Sequence, residues 1–360
     1  MVYNLEECRK LGRLIQERRK ELAMSQEALA ELLGVSRVTV THMELHGRGL
    51  RDIFTRRDVA KALGLSPVIF SVLGTDSKPE ILYDKTILQK SFELHVENYF
   101  TTGTVTLSDV DMMMGSIFTI FKSLDHKDID VLKILHGYSW LGICLAREKL
   151  DGLEIRKYIG LSVNLGEEIN NPVLLARTYT AAASAFYTVG ERHKAIAYAE
   201  KGSGIRNVPS HVHGNLLLDA GTSRLNPHLI DEALTIVQNN PHEEDIAYVR
   251  LSPDICQIRK AMVLLDKNDT SAAEEIIADA EESTPLNMIR RQCMIQWLRA
   301  RVAMQQGSFD QAAFSTLSAI PLAKQINSAP NIERLRSVHA GLLESGYAQS
   351  RDVKLIGMAL

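Results

Sequence analysis

From Leu11 onward, apolar residues recur at three- and four-residue spacing, the pattern of helices with one buried face. Leu11, Leu14, Ile15 and Leu22 fall on one such face, with Arg9, Arg13, Arg18, Arg19 and Lys20 around the remainder. Ser25 is placed to cap a second helix, and Glu27 sits in its first turn, where the helix dipole favours an anion. Leu29, Ala30 and Leu33 form the buried side of that helix, and Gly34 ends it. Ser36 can cap a third helix, in which Val40 and Met43 point inward. A helix, a three-residue turn with glycine and a second helix make a helix-turn-helix arrangement. Thr55 with Asp58 predicts a capping box for the helix after it.

The segment Gly74-Thr-Asp-Ser-Lys-Pro79-Glu is a polar break between two helical patterns. It divides the chain into a first domain over 1–74, a linker over 75–80 and a second domain over 81–360. Beyond the break the pattern is helical almost throughout. Strand-like sequence occurs only at Thr102 to Leu107, which also reads as a loop before a helix capped by Ser108 with Asp111. Four pairs of small residues stand twelve positions apart: Ala183/Ala195, Gly221/Ala233, Ala261/Ala273 and Ala300/Ala312. Successive pairs are offset by about forty residues, the period of stacked helix pairs. Gly142 and Ala340 extend the series by half a match at each end.

The stretch from Ser25 to Arg48, SQEALAELLGVSRVTVTHMELHGR, resembles the DNA-binding segment of the phage-repressor-like (XRE) helix-turn-helix family. Ser25-Gln26-Glu27, Leu29-Ala30, Leu33-Gly34-Val35-Ser36, Val40 and Glu44-x-x-Gly47 carry the match. Thr55 to Pro67 resembles the family's fourth helix and exit, and His46 to Arg51 departs from its pattern. The resemblance implies a five-helix domain with the third helix in the major groove of duplex DNA.

With Val40 and Met43 inward, the outer face of the third helix carries Val38, His42 and Leu45, flanked by Arg37 and Thr41. Arg37 has the fork to reach guanine O6 and N7, and Val38 a surface for a thymine methyl. Thr41 and His42 come next. Gln26 and Ser36, at helix N-termini, suit phosphate contacts, and Arg13, Arg18, Arg48 and Arg51 are further backbone candidates. Any one scattered arginine is more simply a solvated charge. Arg37 is singled out because the motif places it.

Tyr179 to Gly202, YTAAASAFYTVGERHKAIAYAEKG, is similar to a tetratricopeptide repeat, and the other pairs are degenerate versions. The resemblance implies a right-handed α-solenoid whose inner face is a peptide or protein groove. Inner positions would include His136, Thr180, Tyr187, Asn215, Asp219, Arg259, Trp297 and Arg301. Asparagine can clamp a peptide backbone and arginine can hold a carboxylate. The plainer alternative is that Trp297 and Tyr187 pack between repeats and that both arginines pair with a local acid such as Asp219 or Asp254.

Charge sharpens this picture. The whole chain has a net charge of −3, but residues 1–74 carry 12 Lys+Arg against 9 Asp+Glu, so a basic head precedes an acidic body. No run of 18 apolar residues occurs, and the start of the chain lacks the apolar core of a signal peptide. Cys8, Cys144, Cys256 and Cys293 are widely separated and make no C-x-x-C pair, so they read as reduced thiols of a cytoplasmic protein. No G-x-S-x-G, H-E-x-x-H or G-x-x-x-x-G-K-[ST] occurs. His211, His213, His228 and His242 give only a weak metal signal. An enzyme is not expected, and neither is a metal or a cofactor.

The expectation is therefore an all-α protein, an XRE-like head on a tetratricopeptide-like body. That combination resembles the peptide-pheromone-sensing regulators of the RRNPP group, which implies a cytoplasmic homodimer without a membrane partner, a palindromic operator and a short signalling peptide as ligand. The alternatives are a regulator whose repeats recruit another protein, and an interaction scaffold whose DNA head is vestigial.

Overall fold

A computed structural model describes residues 5–50, 53–65, 85–123, 128–239 and 251–360, and among these every regular element is a helix. One compact unit comprises Met1–Ser91 and Ser108–Tyr138, the other Phe92–Leu107 and Ser139–Leu360. The expected linker at 75–80 and the segment expected to carry the head's fifth helix lie outside the described residues.

In the head, α1 (Leu5–Glu21), α2 (Gln26–Leu33), α3 (Arg37–His46) and α4 (Ile53–Ala62) surround a core of Leu11, Ile15, Leu29, Val40, Met43, Leu50, Val59 and Leu63. The caps are as the sequence predicts. Ser25 Oγ accepts from Ala28 N–H, Ser36 Oγ from Thr39 N–H, and Gly34 ends α2 at φ 65°. Gly47 does more than end α3, because a Cβ there would stand 2.3 Å from the Cys8 backbone, and one on Gly12 would stand 2.4 Å from the Met43 carbonyl. Two glycines thus let α1 and α3 touch backbone to backbone. Two details differ from expectation. Leu22 lies largely exposed past the end of α1, and α4 has begun by Ile53, which puts Thr55 inside its first turn and not at a cap.

Next come α5 (Lys85–Thr101) and α6 (Leu107–Ser123). Residues 102–106 of the strand-like stretch are a loop leading into α6, which starts at Leu107, one residue before Ser108, and leaves that serine within the helix. Gly103 holds the loop against the backbone of Ile326, where a Cβ would meet Ile326 Cα at 2.5 Å.

The repeats follow as α7 (Ile129–Glu148), α8 (Gly152–Ile169), α9 (Pro172–Thr188), α10 (Arg192–Ser203), α11 (Ser210–Arg224), α12 (Pro227–Asn239), α13 (Pro253–Asp266), α14 (Thr270–Ser283), α15 (Ile289–Gln305), α16 (Phe309–Gln325), α17 (Ala329–Leu342) and α18 (Arg351–Ala359). The four predicted small-residue pairs join α9 to α10, α11 to α12, α13 to α14 and α15 to α16, and all eight residues are buried. Gly221 shows why size matters, since a Cβ there would stand 2.6 Å from Ile230 Cγ1. Gly142 does the same for α7 and α8, at 2.4 Å from the Tyr158 ring. The other half-match fails. Ala340 is exposed, and α17 packs through Leu335, Val338 and Leu342. Although α7 is long and apolar enough in mean hydropathy to cross a membrane, most of it is buried within the protein, as in a core helix.

Candidate DNA-reading face and ligand cavity

The head is organised around one carboxylate. Glu44 is buried in α3 and takes a two-pronged ion pair from Arg19 of α1, Nε to Oε1 at 2.6 Å and Nη2 to Oε2 at 3.0 Å. Gln26 Nε2 donates to Glu44 Oε2 at 2.8 Å, and Arg19 Nη1 donates to the Met24 carbonyl at 2.8 Å. Burial alone would raise the Glu44 pKa, but the hydrogen bonds from Arg19, Gln26 and Gln16 outweigh it and hold the carboxyl below the usual range. The sequence pattern puts Arg19 on the polar side of α1 and Glu44 in the helix-turn-helix match, without joining the two. An acid and a base 25 residues apart leave no periodic trace, which is why this pair was not read.

That network fixes the outer face of α3. Thr41 is half-buried, and its hydroxyl donates to Gln26 Oε1 at 3.2 Å, so α2 and α3 share a polar seam. Arg37 and Val38 remain exposed, Val38 at 63%. Arg37 pairs with Glu27 of α2 at 2.9 Å, an exposed bridge of the kind worth about 0–1 kcal/mol, so its guanidinium can be given up to another partner. Half-buried His42 meets Arg48 through Nδ1 and Nη1 at 3.3 Å, and its ring stands edge-on to His46. Ser36 is exposed at the N-terminus of α3. The seven expected DNA-contacting residues, Gln26, Ser36, Arg37, Val38, Thr41, His42 and Arg48, therefore lie on α2, α3 and the residue after the Gly47 cap. Gln26 and Thr41 are partly engaged in holding the two helices together.

In the body, a cavity of about 170 Å³ is lined almost wholly by the first helix of each pair. Arg147 (α7), Ser184 (α9), Asn215 and Asp219 (α11), Arg259 (α13) and Arg290 (α15) supply its polar wall, and Tyr99, Trp140 and Met294 much of its apolar wall. Thr180, Asn215, Asp219 and Arg259, predicted as inner positions, thus meet in one place. Arg147 and Arg259 both donate to Ser184 Oγ at 3.0 Å, which brings two like charges onto one hydroxyl.

The cations there fare differently. Glu148 serves Arg147 and Arg290, each at 2.9 Å, and also accepts from Ser328 and from Tyr99 OH at 3.1 Å. Burial would raise its pKa, but Arg290 and Arg147 hold it down at about 2. Arg291 pairs with Asp254 at 2.6 Å. Arg259 has Ser184 alone, with its Nε buried and unpartnered. Among the described residues the Asp219 carboxyl accepts no hydrogen bond and makes no ion pair. Burial raises Asp219 to about 6 against the opposing pull of Arg259 and Arg147.

Tyr187, Trp297 and Arg301 lie further along the same helices. Trp297 is 8% exposed and carries the guanidinium of Arg301 on its ring at 5.2 Å and that of Arg334 at 5.0 Å. With Met304, Gln305, Ser337 and Val338 they line a second cavity of about 370 Å³. Arg301 is neutralised by Asp266 at 2.9 Å, and Tyr187 OH donates to the same carboxylate at 3.3 Å. Arg301 therefore ties α13 to α15, as the alternative reading had it, although the acid is Asp266 and not Asp219 or Asp254. Trp297 and half-buried Tyr187 pack on or within the C-terminal core. Arg147, Ser184 and Arg334 were not predicted. The inner positions expected from sequence stop at Arg301 and include none on α17, where Arg334 lies.

Among the described residues no three His, Cys, Asp or Glu side chains are grouped to hold a metal ion. All four cysteines are free and buried, and burial pushes Cys144 up to about 11 and Cys256 and Cys293 up to about 12.

Residues 15–45 match a family model described as helix-turn-helix, so the chain carries a helix-turn-helix domain at its N-terminal end. No curated protein matches the chain. Among solved structures it is similar to Bacillus thuringiensis PlcR, crystallised in complex with the peptide PapR7 and DNA, at 11% identity and a TM-score of 0.25, over 98% of this chain and 92% of that one. A TM-score of 0.25 leaves that likeness too weak to position any residue.

Proposed function

We propose that the protein is a cytoplasmic, DNA-binding transcriptional regulator that reads duplex DNA through α3 and holds a short peptide on the inner face of its repeats. One observation carries the DNA half. In a matched helix-turn-helix, α3 turns Val40 and Met43 into the core and leaves Arg37 and Val38 exposed at its first turn. That first turn is what such a helix offers to base edges. The buried Glu44 bridge sets the angle between helices without consuming Arg37. Gln26, Ser36 and Arg48 are assigned to phosphates, and Thr41 and His42 to the groove floor.

The peptide half rests on the cavity. A peptide offers N–H groups, carbonyls and carboxylates together, and the wall presents a matching mixture in Asn215, Asp219, Ser184 and Arg259. At about 170 Å³ the cavity exceeds the roughly 150 Å³ that admits a benzene, enough for one side chain or chain end. The rest of a peptide would run along the first helices toward Tyr187, Trp297 and Arg301. Two copies of the chain are expected to bind a palindromic operator, with α5 and the last repeats joining them. Ligand and DNA are coupled only if the ligand favours one of two dimer arrangements.

The test begins with duplexes selected from a randomised pool by the full-length protein. Arg37→Ala should weaken binding to the selected sequence by about 1–3 kcal/mol and leave random DNA nearly unaffected. Equal losses on both would reduce Arg37 to a phosphate contact, and failure to select any sequence would sink the DNA reading.

A further inference from the structure

The wall of the smaller cavity holds hydrogen-bond donors that find no acceptor. Arg147 Nη1 of α7 and Arg259 Nη2 of α13 each lie 3.0 Å from Ser184 Oγ of α9, and all three residues line that one cavity. Two donors bound to one oxygen cannot stand further apart than twice that distance, so the two guanidinium groups share one corner. A hydroxyl offers two lone pairs and one proton. The arginines take both lone pairs of Ser184, and among the described residues its proton has no acceptor. Arg259 is short of acceptors too. Ser184 is its one bonded partner among them, and its Nε–H is buried without any. Arg147 differs, because its Nη2 donates to Tyr99 OH at 2.6 Å and to Glu148 at 2.9 Å.

Charge is unbalanced in the same direction. Arg147, Arg259, Arg290 and Arg291 all line the cavity. Glu148 is divided between Arg147 and Arg290, and Asp254 is held by Arg291. Asp219 stands on the wall itself and makes no ion pair among the described residues. Of the four cations, Arg259 is the one left beside a neutral hydroxyl and no carboxylate. A cation buried in that state is costly, and an anion that enters the cavity removes the cost.

We infer that this cavity is a carboxylate pocket, in which Arg259 takes an acid group of the ligand on its unused N–H groups and the Ser184 proton donates to the same group. Arg147 stays bonded to Glu148, fixes the Ser184 oxygen and adds its charge. The pocket rests on the peptide reading only for the natural source of the acid, a C-terminal carboxylate or an Asp or Glu side chain. At about 170 Å³ it admits one such group. Arg334 has no part in it, since it lines the other cavity with Trp297 and Arg301.

N-acetylglycine is the probe, since it ends in a carboxylate as a peptide does, and N-acetylglycinamide is its uncharged control. Both are titrated into the full chain and followed through the arginine Nε–H resonances. The acid should shift the Arg259 resonance and bind at least about tenfold more tightly than the amide. Arg259→Gln should weaken the acid about tenfold or more, and Ser184→Ala several-fold. Arg334→Gln, in the other cavity, and Arg299→Gln, at an exposed pair with Glu281, should leave it unchanged. Arg259→Lys keeps the charge but loses the fork, so its affinity should fall between wild type and Arg259→Gln. It also covers the case in which the glutamine variant does not fold. Acid and amide binding alike, no binding of the acid, full acid affinity in either Arg259 variant or in Ser184→Ala, or an equal loss in Arg334→Gln would overturn the pocket.

Random hexapeptide pools, free-acid and C-amidated, separate the pocket from the peptide reading. Enrichment of free-acid peptides alone assigns the chain terminus, and enrichment of amidated peptides rich in Asp or Glu assigns a side chain. If N-acetylglycine binds and neither pool is enriched, the carboxylate pocket stands and the peptide reading falls. If peptides bind and Arg259→Gln holds them as tightly as wild type, the peptide reading stands and the pocket falls.

Discussion

Glu44 in the head and Asp219 in the body are both carboxylates on a helix inside a folded unit, and their surroundings treat them in opposite ways. Glu44 is met by Arg19, Gln26 and Gln16, and its pKa falls below the usual range despite burial. Asp219 accepts no hydrogen bond among the described residues, and burial drives it up to about 6. The same contrast holds for the cations, with Arg19 forked onto Glu44 and Arg259 left with a hydroxyl. A saturated polar network holds helices in register and leaves nothing for a ligand. An unsaturated one beside a cavity is a cost the fold carries until something binds.

The body also contains a closed network of its own, and breaking it should give the largest effect. Glu148→Gln removes the charge that joins Arg147, Arg290, Tyr99 and Ser328, stranding two buried cations. A loss of about 3–5 kcal/mol is expected in urea unfolding followed by tryptophan fluorescence. A loss below about 1 kcal/mol would mean that the network is not holding α5, α7, α15 and α17 together.

A smaller effect, with a definite pH dependence, is expected at Asp219. Its folded pKa is raised from about 3.9 to about 6. The carboxyl therefore favours folding at low pH, and that contribution is lost as pH rises from about 4 through about 6. Asp219→Asn should stabilise the free protein at pH 7.5 by roughly 1–3 kcal/mol and leave it nearly unchanged at pH 4. Glu44 has the reverse sign, giving stability above about pH 4 that fades below it. Stabilisation by Asp219→Asn at pH 4 with none at pH 7.5 would show that the cavity does not raise this group.

The smallest effect belongs to Arg301. Because Arg301 is paired with Asp266, the chain should lose only about 0–1 kcal/mol of stability on Arg301→Ala in urea unfolding. A loss above about 2 kcal/mol would mean that the Arg301–Asp266 pair is a main tie between α13 and α15.

The head was legible because its constraints are local. Caps at Ser25 and Ser36, the left-handed Gly34 and the inward Val40 and Met43 lie within a few residues of what they govern. The helix pairs were legible too, because close packing imposes small residues at a fixed period, as at Ala183 with Ala195. What stayed hidden is pairing across sequence distance. Arg19 with Glu44, Arg301 with Asp266 and Arg290 with Glu148 connect residues whose types are common and whose spacing carries no period. The inner face could be predicted, but which of its arginines had already found an acid could not. Ala340 marks the other limit, since the small-residue period does not hold at α17, where that alanine is exposed.

The claim that closed networks hold the fold while open ones hold ligand is tested most directly by calorimetry on the free full chain, setting Glu44→Gln against the double variant Arg259→Gln/Arg334→Gln. Glu44→Gln should lower the head's melting temperature by roughly 10 °C, the cost of leaving Arg19 buried and alone. The double variant should melt at or above the wild-type temperature, because it removes two buried cations that repel each other and make no direct ion pair among the described residues. A double variant that melts as far below wild type as Glu44→Gln does would contradict the account and make these arginines part of the scaffold.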